Sequence, residues 1–341
     1  MKSTSKIKMK SAKLAAERKS SFLSLIKHVL MTREVRTLLV LFTIVVFFTF
    51  FTGGKYLTIR NLASILNQIN SFGIVAGAMT LLLILGEIDL SVGSIYALSP
   101  VVAVLLIKRV PGFTIWMAAP VAIGMGILCG VANGVITTKG KIPSFITTLG
   151  TMMVIRGIVY VLTKGKIMGF LPPSVFYSIL GGRIFKWVPV GALWFVGITI
   201  FLWILLEQTA FGNRIFATGN NKEAARMAGI NTDRVKIINF TITGVLSSFA
   251  GLVVLSTLQE SIPGQGVELA FDSIAAAVVG GTSLSGGSGT IIGTFLGAFI
   301  VGGVKNGIII RGAPTFWPSA FVGLIIVLAV ILNSWVERKV T

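Results

Sequence analysis

Apolar positions along this chain do not alternate with polar ones. They continue for about 17–25 residues at a time, the length of helix that crosses ~30 Å of hydrocarbon. Ten such runs predict membrane spans at residues 37–53, 62–86, 91–107, 113–137, 144–163, 188–207, 237–257, 271–284, 289–310 and 316–335. The third and eighth are short or interrupted by glycine. The first follows a basic segment, but it is too long for a secretory signal and has no small-residue cleavage site, so it reads as a retained span. The pattern predicts an all-α integral membrane protein of about ten transmembrane helices, some of them broken at glycines. It divides the chain into a basic tail at 1–36, a transmembrane domain at 37–335 with a long polar loop at 208–236, and a short tail at 336–341.

Composition agrees with the pattern. Charged residues make up 12% of the chain, about half the share of a soluble domain. The 39 glycines suit helices packed closely in lipid. A net charge of +19 raises the question of nucleic acid, but the distribution of charge answers it. Ten basic residues precede the first span, and others cluster at Lys139 and Lys141, between Arg214 and Lys236, and at Arg338 and Lys339. With both termini cytoplasmic, 19 of the 30 Lys and Arg fall inside and 10 outside, the bias expected of a membrane protein. Residues 164–187 are then outside, and no nucleic-acid partner is implied. Segment 1–36 reads as a topogenic tail that is largely without structure, or as a surface for anionic headgroups.

Catalytic chemistry finds little support. Cys129 is the only cysteine and His28 the only histidine, so a His-based metal site or triad within one chain is nearly excluded. No Ser is paired with a base. The chain reads as no enzyme in itself, binding no cofactor of its own.

The informative residues are those that lipid rejects. Gly86-Glu87-Ile88-Asp89-Leu90-Ser91-Val92-Gly93-Ser94 interrupts the pattern between the second and third runs. Its two carboxylates must face a cavity, a partner or water. The segment is a gate or substrate-pathway element, or else a surface loop in which Asp89 and Ser91 cap a helix. A second break is Gly280-Gly281-Thr282-Ser283-Leu284-Ser285-Gly286-Gly287-Ser288-Gly289-Thr290. It lacks the Gly-Lys-[Ser/Thr] ending of a phosphate loop and reads as a re-entrant turn or tight helix crossing. At an offset of 194, Gly86, Leu90, Ser91, Gly93 and Ser94 match Gly280, Leu284, Ser285, Gly287 and Ser288, and Asn133-Gly134 has a counterpart in Asn306-Gly307. Repeated halves are common in transporters. Here the break and the Asn-Gly are 40 residues apart in one half and 19 in the other, and both breaks fall on one side, so an internal repeat stays open and a simple inverted repeat is not demonstrated. Arg156, in mid-span, is either the partner of an intramembrane acid, Glu87 or Asp89, or a snorkelling side chain. Glu87, Asp89, Ser91, Gly93, Asn133, Arg156, Ser283, Ser285 and Asn306 are therefore the candidate pathway or gate residues.

Within the polar loop, residues 220–230 predict a short helix capped by Asn220 or Asn221, favoured by Ala224 and Ala225 and ended by Gly229. It is either a dock for a partner protein or a connector lying on headgroups.

Several of these segments, in this order, resemble the permease subunits of bacterial ABC importers for monosaccharides, the ribose/xylose/galactose group. The resemblance rests on residues 86–94, on Ala210-Phe211-Gly212-Asn213-Arg214-Ile215-Phe216-Ala217 leading into 221–230, on Glu268-Leu269-Ala270-Phe271-Asp272-Ser273-Ile274-Ala275-Ala276, and on 280–290. It covers nearly all of the chain after residue 36. The join at Ala270-Phe271 departs from the shorter Leu-Asp that is usual there. Glu87, Lys141-Ile142-Pro143-Ser144-Phe145 and Pro314-Thr315-Phe316-Trp317 are most similar to xylose-type permeases, although the chain is shorter than those between spans five and six.

The resemblance implies a permease in the bacterial cytoplasmic (inner) membrane, paired with a second permease copy or homologue. It further implies an ATP-binding subunit that uses the ATP, and an extracytoplasmic sugar-binding protein. Glu223, Ala224, Ala225 and Gly229 would form the contact with the ATPase. Hydroxyls, amides and glycine backbone suit a neutral hydroxylated solute such as a pentose. A branched-chain amino acid-type ABC permease, a proton-coupled secondary transporter using Glu87 or Asp89, and a membrane scaffold are the competing readings.

Overall fold

The structure is a computed structural model that describes residues 32–169, 171–314 and 316–340. Most of the basic tail, with His28, lies outside the described residues. The elements run α1 (Arg33–Phe51), a 3-10 turn (Lys55–Leu57), α2 (Ile59–Ile84), α3 (Val92–Arg109), α4 (Ile115–Lys139) and α5 (Ser144–Thr163). They continue with α6 (Val175–Gly181), β1 (Arg183–Ile184), β2 (Val188–Pro189), α7 (Val190–Glu207), α8 (Ala210–Asn220) and α9 (Lys222–Met227). The last four are α10 (Thr232–Leu258), α11 (Leu269–Val279), α12 (Ile291–Ile310) and α13 (Trp317–Val340). Among the described residues, eight helices are long and apolar enough to cross a membrane, and two more apolar stretches, Leu269–Val279 and Trp317–Leu328, are shorter. Each of the ten expected spans therefore has a helix, and the all-α class holds.

The third span, expected to be short or interrupted by glycine, is short and unbroken, one helix of 18 residues at Val92–Arg109. Three boundaries differ from the sequence reading. The eighth ends at Val279, because the glycines that follow leave helical geometry. At the N-terminal side, α1 already starts at Arg33, inside the segment assigned to the tail, and at the C-terminal side α13 runs on through 336–340.

α10 is the central post, packed most closely on α4 and also on α3 and α2. The closeness has a cause in sequence. Gly126, Gly130 and Gly134 recur every fourth residue on one face of α4, against Gly244, Phe240 and Ile237 of α10 in turn. A Cβ on Gly130 would collide with the Phe240 carbonyl oxygen. Backbones thus meet directly, the small-xxx-small packing that replaces the hydrophobic drive between helices in lipid. Large apolar side chains point outward instead. Phe42, Phe50, Leu128, Met153 and Val161 are all more than half exposed, as a lipid-facing belt requires.

Segment 164–187 carries α6 and the start of the β1–β2 hairpin, whose register pairs Arg183 with Pro189 and Ile184 with Val188. Ser174 caps α6 by accepting from the Phe176 N–H, and Phe176, Tyr177 and Leu180 bury its inner face against the bundle.

Candidate functional site

The first break follows from one backbone angle. Gly86 takes φ +72°, which turns the chain out of α2 and leaves Glu87 N–H donating back to the Leu82 carbonyl at 2.9 Å. The next residues are held by side chains from three other helices. Asp89, fully buried, accepts from the Ser91 N–H at 2.8 Å and from its hydroxyl at 2.6 Å. Asn133 of α4 donates to Ser91 Oγ at 2.8 Å and reaches Asp89 Oδ2 at 3.5 Å. On α5, Ser144 Oγ accepts from the Ile88 N–H at 3.2 Å and Thr148 donates to the Ile88 carbonyl at 3.3 Å. Glu87 forms a buried ion pair with Lys236 of α10. Asp89 closes a local turn onto Ser91, but neither side chain caps the first turn of α3 as expected, and Asn133 belongs to the same cluster. Lys236, by contrast, reads in the sequence only as part of a surface charge cluster, and nothing there marks it as the partner of Glu87.

The second break repeats the turn and then diverges. Gly281 has φ +92°, and Thr282 N–H donates to the Ala277 carbonyl at 3.0 Å, matching Glu87 to Leu82. The equivalent glycines are therefore Gly86 and Gly281, an offset of 195 rather than the 194 of the sequence alignment. Four more residues follow before the next helix than in the first break, so Ser91 and Ser285 do not correspond. Ser283 is buried and its N–H donates to the Ser288 carbonyl at 2.9 Å, while Ser285 is exposed. The loop ends where Thr290 caps α12 by accepting from the Gly293 N–H at 2.8 Å.

The two breaks touch. Gly287 N–H donates to the Ile84 carbonyl at 2.8 Å, which places both breaks on one side of the bundle, as the charge-based topology requires. The last turn of α8 joins them. Asn220 Nδ2 donates to the Gly287 carbonyl at 3.3 Å, and Gly219 lies so close to the Ile84 oxygen that a Cβ would not fit.

α9 follows directly. Asn221, not Asn220, caps it by accepting from the N–H groups of Glu223 and Ala224 at 3.1 and 3.0 Å. Gly229 ends it at φ +84°, with Ile230 N–H donating to the Ala225 carbonyl. Glu223, Ala224 and Met227 are exposed, but Ala225 is buried against the chain itself and offers nothing to a partner. Arg226 donates to Asp233 at 2.7 Å and to Thr232 at 2.9 Å, fixing α9 to the start of α10. Lys222 has its pKa lowered, first by partial burial and then by repulsion from Lys236 and Arg226.

Arg156 pairs with neither acid. Its guanidinium donates to the carbonyls of Pro263 at 2.9 Å, Gln265 at 2.7 Å and Gly93 at 3.0 Å. The physical reason is the non-helical stretch 259–268, whose carbonyls lack intrahelical partners and need donors within the bundle. Gly93 lies where this stretch crosses α3, since a Cβ there would run into the Gly266 oxygen. A further pairing escapes a reading of the sequence. Lys305 of α12 bonds both carboxylate oxygens of Asp272 at 2.9 and 2.7 Å and reaches Glu268 at 3.4 Å, and Ser319 of α13 holds the other Glu268 oxygen. The tally of ten outside charges includes Lys305, whose side chain is in fact buried in the bundle, leaving nine. A lone Lys and a lone Asp, each inside an apolar run, were the available signal. Asn306, next to Lys305, stands apart from both breaks and lines a cavity near the opposite end of α2.

Known proteins share this sequence over most of its length. Residues 61–330 match the family model described as branched-chain amino acid transport system / permease component. The ribose import permease protein of Bacillus subtilis (strain 168) is 37% identical over 279 residues, covering 82% of this chain and 86% of that protein. The ribose import permease protein of Escherichia coli (strain K12) is 37% identical over 288 residues, covering 82% and 87%. The xylose transport system permease protein of the same strain is 34% identical over 361 residues, covering 87% and 90%. That last alignment is longer than the 341-residue chain itself, so it carries long gaps on this side. No solved structure matches.

Proposed function

This chain belongs to the branched-chain amino acid transport system / permease component family, and from that premise we propose that it translocates a monosaccharide, a pentose such as ribose or xylose. It is a multi-pass protein of the cytoplasmic membrane. The family description alone would suit an amino acid as well as a sugar. What supports the sugar is the identity of 34–37% with ribose and xylose permeases over most of both chains.

ATP hydrolysis belongs to a partner subunit, and the solute arrives from an extracytoplasmic binding protein. α8 and α9 are the natural dock for the ATPase. They present Glu223, Ala224 and Met227 outward while Asn220 and Gly219 touch both breaks. Alternating access needs two packings within a few kcal/mol of each other, and a push on α8 is transmitted to the junction of the breaks without an intervening layer. A second permease copy or a homologue completes the pathway. The proton-coupled alternative fits poorly, because Glu87 is engaged by Lys236 and Asp89 is sealed among Ser91 and Asn133, so neither faces a water-filled path.

The test is reconstitution of the chain with its ATPase and binding protein in proteoliposomes. ATP-dependent uptake of ribose or xylose is expected, and Ala224→Trp should lose the ATPase while still inserting, since overpacking a dock costs roughly 1–3 kcal/mol. Uptake of leucine in place of pentose, or pentose uptake with no ATPase present, would overturn the reading.

A further inference from the structure

The N-terminal half of α2 carries a stripe that lipid would reject. Ser64, Asn67, Gln68 and Ser71 stand at i, i+3, i+4 and i+7, so they share one helix face. That face borders two cavities, one of about 420 Å³ between α2, α10 and α12, and one of about 370 Å³ between α2, α3 and the start of α11. Gln68 and Ser71 line both, which makes them one polar system on either side of α2. Each volume falls in the range of about 300–1,000 Å³ typical of small-molecule sites.

The lining is under-satisfied. Asn70 and Asn306 are 4% and 9% exposed, and their Oδ1 atoms have no hydrogen-bond partner among the described residues. Both residues line the larger cavity, and their two oxygens, which are buried behind its surface, meet a solute there once the amide groups turn toward it. A buried amide oxygen without a partner is unfavourable unless water or a ligand meets it. The smaller cavity adds the Tyr96 ring and the carboxylates of Asp272 and Glu268. The two acids share Lys305, which leaves one net negative charge and no spare cation. The site therefore offers amides, hydroxyls, an aromatic face and carboxylate acceptors. Amides both donate and accept, which suits adjacent hydroxyl groups. A zwitterion would need charges of both signs left over, and the cluster has no spare cation for its carboxylate, whereas carboxylate oxygens accept readily from hydroxyl groups.

We infer that this cavity system is a binding subsite for a neutral polyhydroxylated solute, built within one copy of the chain. It sits at the end of α2 remote from α8, the end that the charge asymmetry places outside. Solute would thus be held at the outer half of the bundle before the breaks on the far side move. The inference rests on the monosaccharide reading and adds to it a place and a set of contacts.

The experiment uses the full chain in lipid nanodiscs with Cys129→Ser, and Ser64→Cys as a single reporter at the cavity mouth. Maleimide labelling is timed with ribose, xylose or leucine present. At a pentose concentration about ten times the dissociation constant, labelling should slow about tenfold. Thr114→Cys, exposed at the start of α4, should label at an unchanged rate. Asn306→Leu should abolish the protection, and Asn306→Asp, nearly equal in volume but no longer a donor, should weaken it. If no pentose protects Ser64→Cys while the assembled transporter takes up pentose with ATP, the subsite is wrong and the functional reading stands. If leucine protects and pentose does not, both fall.

Discussion

The two breaks begin with the same turn and are stabilised in opposite ways. At residues 85–91 the chain is pinned by side chains: Glu87 to Lys236, Asp89 to Ser91, Asn133 beside them, and Ser144 and Thr148 on Ile88. At residues 280–290 it is longer, richer in glycine, and held mainly by backbone bonds, to the Ile84 carbonyl and from Ser283 to Ser288. Asn220 of α8 reaches into this loop with a side-chain bond. A junction braced by side chains from three helices resists motion, whereas a glycine loop tied to a displayed helix follows that helix. The difference assigns the first break the part of anchor and the second the part of moving element in the proposed coupling.

The largest expected effect is on the anchor. Lys236→Met leaves Glu87 charged and buried without its partner, which costs roughly 3–5 kcal/mol. The thermal midpoint of the purified permease should fall sharply, and the double variant Glu87→Gln with Lys236→Met should recover most of it. A single variant as stable as the parent would show that the first break is not pinned by this pair.

Asp89 comes next. Asp89→Ala strips the acceptor for the Ser91 N–H and hydroxyl, leaving buried donors unmet at a cost of about 1–3 kcal/mol. Uptake should be lost or severely reduced while membrane insertion continues. Asp89→Asn should be milder, because an amide oxygen still accepts both bonds. Normal uptake by Asp89→Ala would remove this segment from the mechanism.

Much of the architecture was legible from the runs of apolar residues, because a span must be long and apolar whatever its neighbours are. The breaks were legible too, since a glycine followed by Glu87 and Asp89 cannot continue an apolar span through lipid without cost. The partners were not. Lys236 meets Glu87 and Lys305 meets Asp272 across helices far apart in sequence, and spacing along the chain carries no information about which helices adjoin. Arg156, read as either the partner of an acid or a snorkelling side chain, was undecided for the same reason: the carbonyls that it satisfies belong to residues 263 and 265, in a stretch whose non-helical path only the fold reveals. The one-residue error in matching the two breaks came from identical letters, Gly and Ser, falling at non-equivalent backbone positions.

The smallest effect on stability should come from the moving element. Asn220→Ala removes the bond to the Gly287 carbonyl, worth about 0.5–1.5 kcal/mol. The thermal midpoint should barely change, yet uptake should fall while ATP hydrolysis persists, as expected of a linkage rather than a support. Uptake and stability falling in proportion would make Asn220 merely structural.

The most direct measurement joins α8 to the second break by force. In a Cys129→Ser chain assembled with its ATPase, Asn220→Cys and Ser285→Cys are bridged by a short bis-maleimide, and a matching sample is left unbridged. Unbridged, the chain lacks the Asn220 bond to the Gly287 carbonyl and should take up pentose poorly; because the second break follows α8, the bridge should restore ATP-driven uptake. Uptake that stays low, or stops, in a fully bridged sample would contradict the coupling of α8 to a second break that moves with it.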